Sequence, residues 1–212
     1  MAGGPAGGRR RTTVAERRER RGAVEDPAVV LEAAAAFLAV RPRSVAETRR
    51  RLTSLGYREA LIAHVVERLE TFGYLDDEAF GRAWLESRDR ARPRGTLVLR
   101  RELLAKGLAP ALVATLLAER DAGGPEGVHA AAAPAAAGAP TTDPDLVAAG
   151  RLLARRRATL LREGDPRRRR QRAYALLARG GFDPDVIRQA IGEAGLFADD
   201  PDLSVTEALE EP

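Results

Sequence analysis

Apolar residues recur along this chain at helical spacing, three or four positions apart, and short joints rich in Gly, Pro, Ser and Asp separate the apolar stretches. Leu61, Ile62, Val65, Val66 and Leu69 share one helix face. Gly73 can adopt the left-handed conformation that closes that helix, Asp76 or Asp77 can cap the next, and Phe80 and Trp84 lie one turn apart along it. Upstream, Asp26-Pro27 supplies a cap and a first-turn proline for a helix ending near Arg41-Pro42. Its expected apolar side is Val29, Val30, Ala33, Phe37 and Val40. Ser44 and Glu47 have the spacing of a capping box, so a second helix runs from Ser44 to Gly56, burying Leu52 and Leu55, and a third follows Gly56-Tyr57.

The pattern then repeats. Aligned on the turn glycine, Gly56-Tyr57 with Leu61, Ile62, Val65 and Val66 matches Gly107-Leu108 with Leu112, Val113, Leu116 and Leu117. It also matches Gly181-Phe182 with Val186, Ile187, Ala190 and Ile191. Four residues before each glycine stands a leucine, Leu52, Leu103 or Leu177. One coincidence would mean little; three with the same glycine and apolar positions indicate three copies of a three-helix unit. The second copy is expected to hold helices near 77–91, 95–106 and 109–120, and the third near 144–162, 166–179 and 184–195. Asp143-Pro144, Asp165-Pro166 and Asp183-Pro184 repeat the start seen at Asp26-Pro27.

The turn glycines are 51 residues apart in the first pair and 74 in the second, an excess of 23. Residues 121–143 are Ala/Pro/Gly-rich and number 23, so an unstructured insertion accounts for the excess to within the length of a longer helix in the third copy. His129 falls in this insertion and is expected to be exposed and inert. The predicted organisation is a disordered basic tail over 1–25, three-helix repeats over 26–75, 76–120 and 144–197, the insertion at 121–143, and an acidic tail over 198–212 with a short helix at Val205–Leu209. No alternation of β-branched residues predicts a strand. The expected fold is all-α, with tandem repeats packed as an elongated, bent array.

Composition sharpens this picture. Aromatics are 4% of the chain, which suits thin helical layers better than a thick core. Net charge is +4, but unevenly spread. Residues 1–25 hold seven Arg and three Glu, 198–212 hold six acids and no base, and 151–172 hold ten Arg against Glu163 and Asp165. Polyanions are plausible partners for the late basic stretch. The absence of Cys excludes a disulfide framework, a thiolate metal site and a Cys nucleophile. With no apolar run near the length of a membrane span and no signal-peptide core, a soluble, cytoplasmic protein is expected, with no membrane association.

Candidate chemistry is sparse. His64 and His129 are isolated, and no Gly-rich phosphate loop follows a strand, so no catalytic site, cofactor or metal is expected. Asp76-Asp77-Glu78 could hold a hard cation, but adjacent acids at a helix start are more simply caps and dipole partners. Trp84 and Tyr74 could stack on bases, yet both fall on expected buried faces and are read as core. Arg155, Arg156, Arg157, Arg167, Arg168, Arg169, Arg170 and Arg172 outnumber their local acids. Contact with phosphates or an acidic protein stands beside the alternative of a solvated face.

Several of these residues carry a family resemblance. Arg41, Ser44 and Glu47 open the second helix, and Gly73-Tyr74-Leu75-Asp76-Asp77 with Phe80 forms the joint. Arg88 and Gly95 precede Glu102-Leu103-x-x-Lys106-Gly107, and a weaker third copy ends at Gly180-Gly181-Phe182. Over about residues 27–197 the chain resembles the RecX regulatory proteins, bacterial modulators of the RecA recombinase. Thr48 departs from the Leu usual in that family, and the insertion is not typical of it. The resemblance implies a non-enzymatic, monomeric protein that lies in the groove of the RecA filament on single-stranded DNA. It would restrain RecA's ATPase, strand-exchange and coprotease activities in DNA repair and the SOS response, with the motif residues in structural roles. The alternative is a free-standing helix-turn-helix nucleic-acid-binding protein built on 44–70. Against it, 58–72 sets Arg58 and Arg68 beside Glu59, Glu67 and Glu70, a poor surface for reading a duplex.

Overall fold

The computed structural model describes residues 13–122 and 143–195. Among them every regular element is a helix: α1 (Val14–Gly22), α2 (Pro27–Leu38), α3 (Val45–Leu55), α4 (Glu59–Thr71), α5 (Asp77–Ala91), α6 (Thr96–Lys106), α7 (Pro110–Asp121), α8 (Pro144–Leu161), α9 (Pro166–Gly180) and α10 (Pro184–Glu193). None is long and apolar enough to cross a membrane. Helices α2–α4, α5–α7 and α8–α10 form three tandem three-helix repeats. By compactness the chain divides within α5, between Phe80 and Gly81, into two bodies.

Gly56, Gly107 and Gly181 end α3, α6 and α9 with φ of 101°, 89° and 81°, where a side chain would be strained. Just after each turn a large residue is buried, Tyr57, Leu108 or Phe182, and the leucine before it (Leu52, Leu103, Leu177) is fully buried. Burying each leucine contributes about 1.5–3 kcal/mol of transfer free energy. At each of the four Asp-Pro starts the aspartate accepts a hydrogen bond from the N–H two residues on: Ala28, Asp145, Arg167 and Asp185, at 2.8–2.9 Å. Such a cap stabilises a helix by about 1 kcal/mol.

In the first body the expectations for the basic tail and for the apolar side of α2 need correction. The basic tail expected to be disordered over 1–25 instead forms α1 at residues 14–22, opened by a Thr13–Glu16 capping box. It has no buried residue of its own. The aliphatic stem of Arg18 abuts Gly56, while Arg21 lies 5.9 Å over the Tyr57 ring and donates to the Leu55 carbonyl; arginine stems here take the place of apolar side chains. On α2 the buried face is Val30 and Ala34, while Val29 is exposed and Val40 lies beyond the helix end at 76% exposure. Phe37 is half-buried under the Arg43 guanidinium, 4.1 Å from its ring. Thr48 is fully buried, its hydroxyl satisfied by the Ser44 carbonyl at 3.0 Å.

In the second body the surplus of 23 residues divides. Helix α8 starts 37 residues before Gly181, whereas α5 starts 30 before Gly107. Seven surplus residues therefore lie in the longer α8 and α9, and the rest precede α8. Residues 1–12, the stretch 123–142 with His129, and 196–212 with the expected helix at Val205–Leu209 lie outside the described residues.

Candidate nucleic-acid interface

The extra turns of α8 and α9 are where the predicted arginine cluster falls. Asp165 caps α9 and holds Pro166 at its first position, which turns the chain directly from α8 through 162–165 into a run of four arginines. Only two carboxylates lie locally: Asp165 meets Arg168 at 3.5 Å, and Glu163 meets Arg172 at 2.9 Å. Both arginines remain largely exposed, so each pair contributes about 1 kcal/mol or less. Arg169 Nε donates to the Glu163 carbonyl at 3.1 Å, Arg167 is exposed and Arg170 half-buried. Arg156 and Arg157 are exposed and bridge no carboxylate among the described residues.

Arg155 belongs to a different environment. Its two terminal nitrogens donate to the carbonyls of Ala91 (2.6 Å) and Arg90 (3.0 Å), at the end of α5. A cation there satisfies carbonyls left without helical partners and complements the helix dipole. Arg151 likewise reaches the Asp89 carbonyl at 3.3 Å.

The joint before α5 combines two kinds of cap. Asp76 accepts from the N–H groups of Glu78 and Ala79, capping α5 itself. Asp77 instead accepts from the N–H of Val45, at the start of α3, at 2.9 Å. Burial pushes the Asp77 carboxyl above its ordinary pKa, with the Val45 N–H pulling it partly back. Beside it, Ser44 and Glu47 form the expected capping box, and Arg41 pairs with Glu47 at 3.3 Å. Gly73 is left-handed, with φ 71°. This turn sends Leu75 and Phe80 inward and leaves Tyr74 73% exposed, contrary to its expected core position.

Trp84 is not core either. Leu85 is the buried residue, while Trp84 is half-buried and its indole N–H donates to Glu102 at 2.9 Å. Arg88 also bonds Glu102, at 2.6 Å, and both Arg88 and Lys106 lie over the indole, 4.4 and 4.6 Å from its centre. The Arg88, Glu102 and Lys106 motif thus forms one polar cluster around Trp84, adjoining buried Leu103 and the Gly107 turn. His64 is exposed.

One polar centre escaped the sequence reading. Arg120 is buried on α7 and binds Asp89 of α5 through two hydrogen bonds of 2.9 Å each. It also donates to Asp145 of α8 at 2.7 Å, and Asp145 accepts the Thr96 N–H at the start of α6. Burial alone would lower the Arg120 pKa, but the hydrogen bonds and charges of Asp89 and Asp145 overcome it and raise it. Neighbouring Asp121 is raised by burial, with Arg120 opposing. The signal was available, since Arg120 continues the buried stripe of Val113, Leu116 and Leu117 at helical spacing. A charge on an apolar stripe calls for a buried partner.

Comparison with known proteins places these repeats. Family models described as the first, second and third three-helix domains of RecX match residues 31–69, 76–117 and 143–191. A Regulatory protein RecX from Prosthecochloris aestuarii is 30% identical over 168 residues, covering 79% of this chain and 95% of that protein. One from Pelodictyon phaeoclathratiforme is 40% identical over 84 residues, covering 40% of this chain and 52% of its own. The crystal structure of RecX from Lactobacillus salivarius superposes with a TM-score of 0.62 at 18% identity, covering 80% of this chain and 97% of that one, a likeness of fold. With three successive repeats matched in order, and a relative aligned over most of both chains, this chain belongs to the RecX family of regulatory proteins.

Proposed function

We propose that this chain binds the RecA filament on single-stranded DNA as a monomer in the cytoplasm. Bound there, it inhibits RecA's recombinase, ATPase and coprotease activities in DNA repair and the SOS response. The observation that supports this most is the ordered match of all three repeats to one regulatory family. The reading assigns no chemical step to the chain; inhibition comes from occupying the filament. Its basic surface is concentrated at the α8–α9 end, where ten arginines between 151 and 172 face two acids, so the third repeat makes most of the phosphate contacts. Arg156, Arg157, Arg167, Arg168, Arg169, Arg170 and Arg172 are assigned to that surface, with Arg155 holding its base. Helix α4 favours no second reading: Arg58 is engaged with the Val24 carbonyl and Glu25, and Glu59 with Arg49.

The test is retention of the protein on RecA filaments formed on single-stranded DNA, with RecA's ATPase rate as readout, across a salt series. Each neutralised phosphate contributes about 0.7 to the log–log salt slope on single strands, so replacing Arg167, Arg168, Arg169 and Arg170 by Gln removes up to roughly 3 units. No retention and no inhibition by the parent protein would refute the function. An unchanged slope in the quadruple variant would refute the assignment to this cluster.

A further inference from the structure

A cleft of about 490 Å³ opens in the second body between the α5–α6 connection and helices α8 and α9. Its charged lining consists of Arg92, Arg94, Arg155, Arg156 and Arg179, with no carboxylate; Leu152 and Leu176 are among its apolar lining. Arg155 is held by the α5 carbonyls. Arg92, Arg156 and Arg179 are exposed and form no ion pair among the described residues, and Nε of Arg94 is buried without a hydrogen-bond partner. Like charges gathered without counter-charge repel one another, and in a partly enclosed cleft water screens them less than on an open surface.

The walls are built to stay in place. Pro93 is buried, and the Gly95 N–H donates to the Gly180 carbonyl at 3.0 Å. A Cβ on Gly95 would come within 2.2 Å of the Gly181 carbonyl oxygen, so only glycine allows the connection to sit against the α9 turn.

The first repeat provides an internal control. Arg92-Pro93-Arg94 repeats Arg41-Pro42-Arg43 at the 51-residue spacing of the turn glycines. In the first copy Arg41 pairs with Glu47 and the Arg43 guanidinium lies over Phe37, although Nε of Arg43, like that of Arg94, is buried without a hydrogen-bond partner; the contrast rests on the carboxylate and the ring. The positions 51 residues on from Glu47 and Phe37 are Val98 and Arg88. The second copy therefore keeps the arginines and lacks both partners, and it turns them toward three more guanidiniums.

We infer that this cleft is a binding site for phosphate groups. Guanidinium groups pair bidentately with phosphate oxygens, the volume lies within the range of small-ligand clefts, and an anion would relieve the repulsion among the arginines. The inference deepens the filament reading by locating a phosphate site, but a nucleic-acid strand and a free polyphosphate share the chemistry. The test therefore needs no RecA. The full chain is titrated calorimetrically with tripolyphosphate and separately with oligo(dT), alongside Arg94→Gln and the exposed triple Arg92→Gln/Arg156→Gln/Arg179→Gln, which spares the half-buried Arg94 and so does not threaten folding.

We expect about a tenfold or greater loss of affinity in each variant, as charge-assisted hydrogen bonds are removed. In the parent, tripolyphosphate at ten times its Kd should raise Tm by about 3–6 °C, and this rise should vanish in the triple variant. Loss confined to oligo(dT) identifies the ligand as a strand, and loss confined to tripolyphosphate identifies a free polyphosphate; either upholds the site. Parent and variants binding both ligands alike, or the parent binding neither, would overturn it. A chain that fails to bind RecA filaments while showing arginine-dependent tripolyphosphate binding would refute the proposed function and leave this site standing.

Discussion

Arg120 ties the three helices of the second repeat to the first helix of the third, and its replacement by Met isolates that role. Met keeps much of the unbranched stem and removes the charge. It leaves the Asp145 side chain, 9% exposed, with the Thr96 N–H as its remaining donor, and leaves Asp89, 30% exposed, without its bidentate partner. Removing one member of a buried ion pair costs about 3–5 kcal/mol. Water can reach Asp89, so we expect the lower end, about 3 kcal/mol. Asp145→Asn alone is milder: the amide oxygen can still accept from Thr96 or from Arg120, and loss of one such bond costs about 1–2 kcal/mol. The double variant should cost no more than Arg120→Met alone, because the stranded charge is gone. The coupling energy is then about 1–2 kcal/mol.

Urea unfolding followed by Trp84 fluorescence suits the measurement, since Trp84 is the chain's single tryptophan and shares α5 with Asp89. Because the centre is buried, raising salt should leave most of the loss in place. Additivity of the two single variants within about 0.5 kcal/mol would refute the coupled centre. So would an Arg120→Met loss below about 1 kcal/mol.

Two further predictions concern the joints. Burial raises the folded-state pKa of Asp77 above its ordinary 3.8, so stability falls as pH rises from that value through the raised one. Asp77→Asn, which keeps an acceptor for the Val45 N–H, should therefore match or exceed the parent's stability at pH 7. The gain should be less than about 1 kcal/mol, since solvent screens the half-exposed group, and should disappear below pH 3.8; chemical denaturation that finds the variant weaker at pH 7 would show the ionised carboxylate to be net stabilising. Gly95→Ala places a Cβ 2.2 Å from the Gly181 carbonyl oxygen and should cost about 1–3 kcal/mol in urea unfolding. Gly150→Ala, on α8 with nothing within 4 Å, should be neutral or stabilise by up to about 1 kcal/mol. Equal effects of the two would refute the close packing at Gly95.

What was legible in the sequence was what neighbours in the chain decide. A left-handed turn needs glycine, an Asp-Pro pair starts a helix, and a stripe of Leu, Val and Ile at helical spacing must be covered; the three repeats followed from these alone. The misreadings arose where distant groups decide. Helix α1 has no apolar stripe and is held by arginine stems against a turn more than thirty residues away. Of the two acids able to cap α5, Asp76 does so, while Asp77 reaches across to α3, which its place in the sequence does not show. Tyr74 and Trp84 fall on faces expected to be buried, but a left-handed glycine and the demands of an indole N–H place one in solvent and the other in a salt-bridge cluster.

The two Arg-Pro-Arg elements show why the candidate site was less legible than the fold. Their sequences are identical, and each leads into a helix of 11 residues closed by a left-handed glycine. Local structure cannot tell them apart. They differ in what stands opposite: Glu47 and Phe37 for the first, and for the second the arginines of α8 and α9, which the chain reaches only after a further sixty residues. Periodicity constrains each helix by its own buried face and says nothing about which exposed side chains on different helices converge. Once the alignment of repeats is known, a comparison across them recovers part of that information. An arginine present in both copies whose carboxylate and ring partners occur in only one of them is the mark such a comparison reads, and Arg92 and Arg94 are where it singles out a pair.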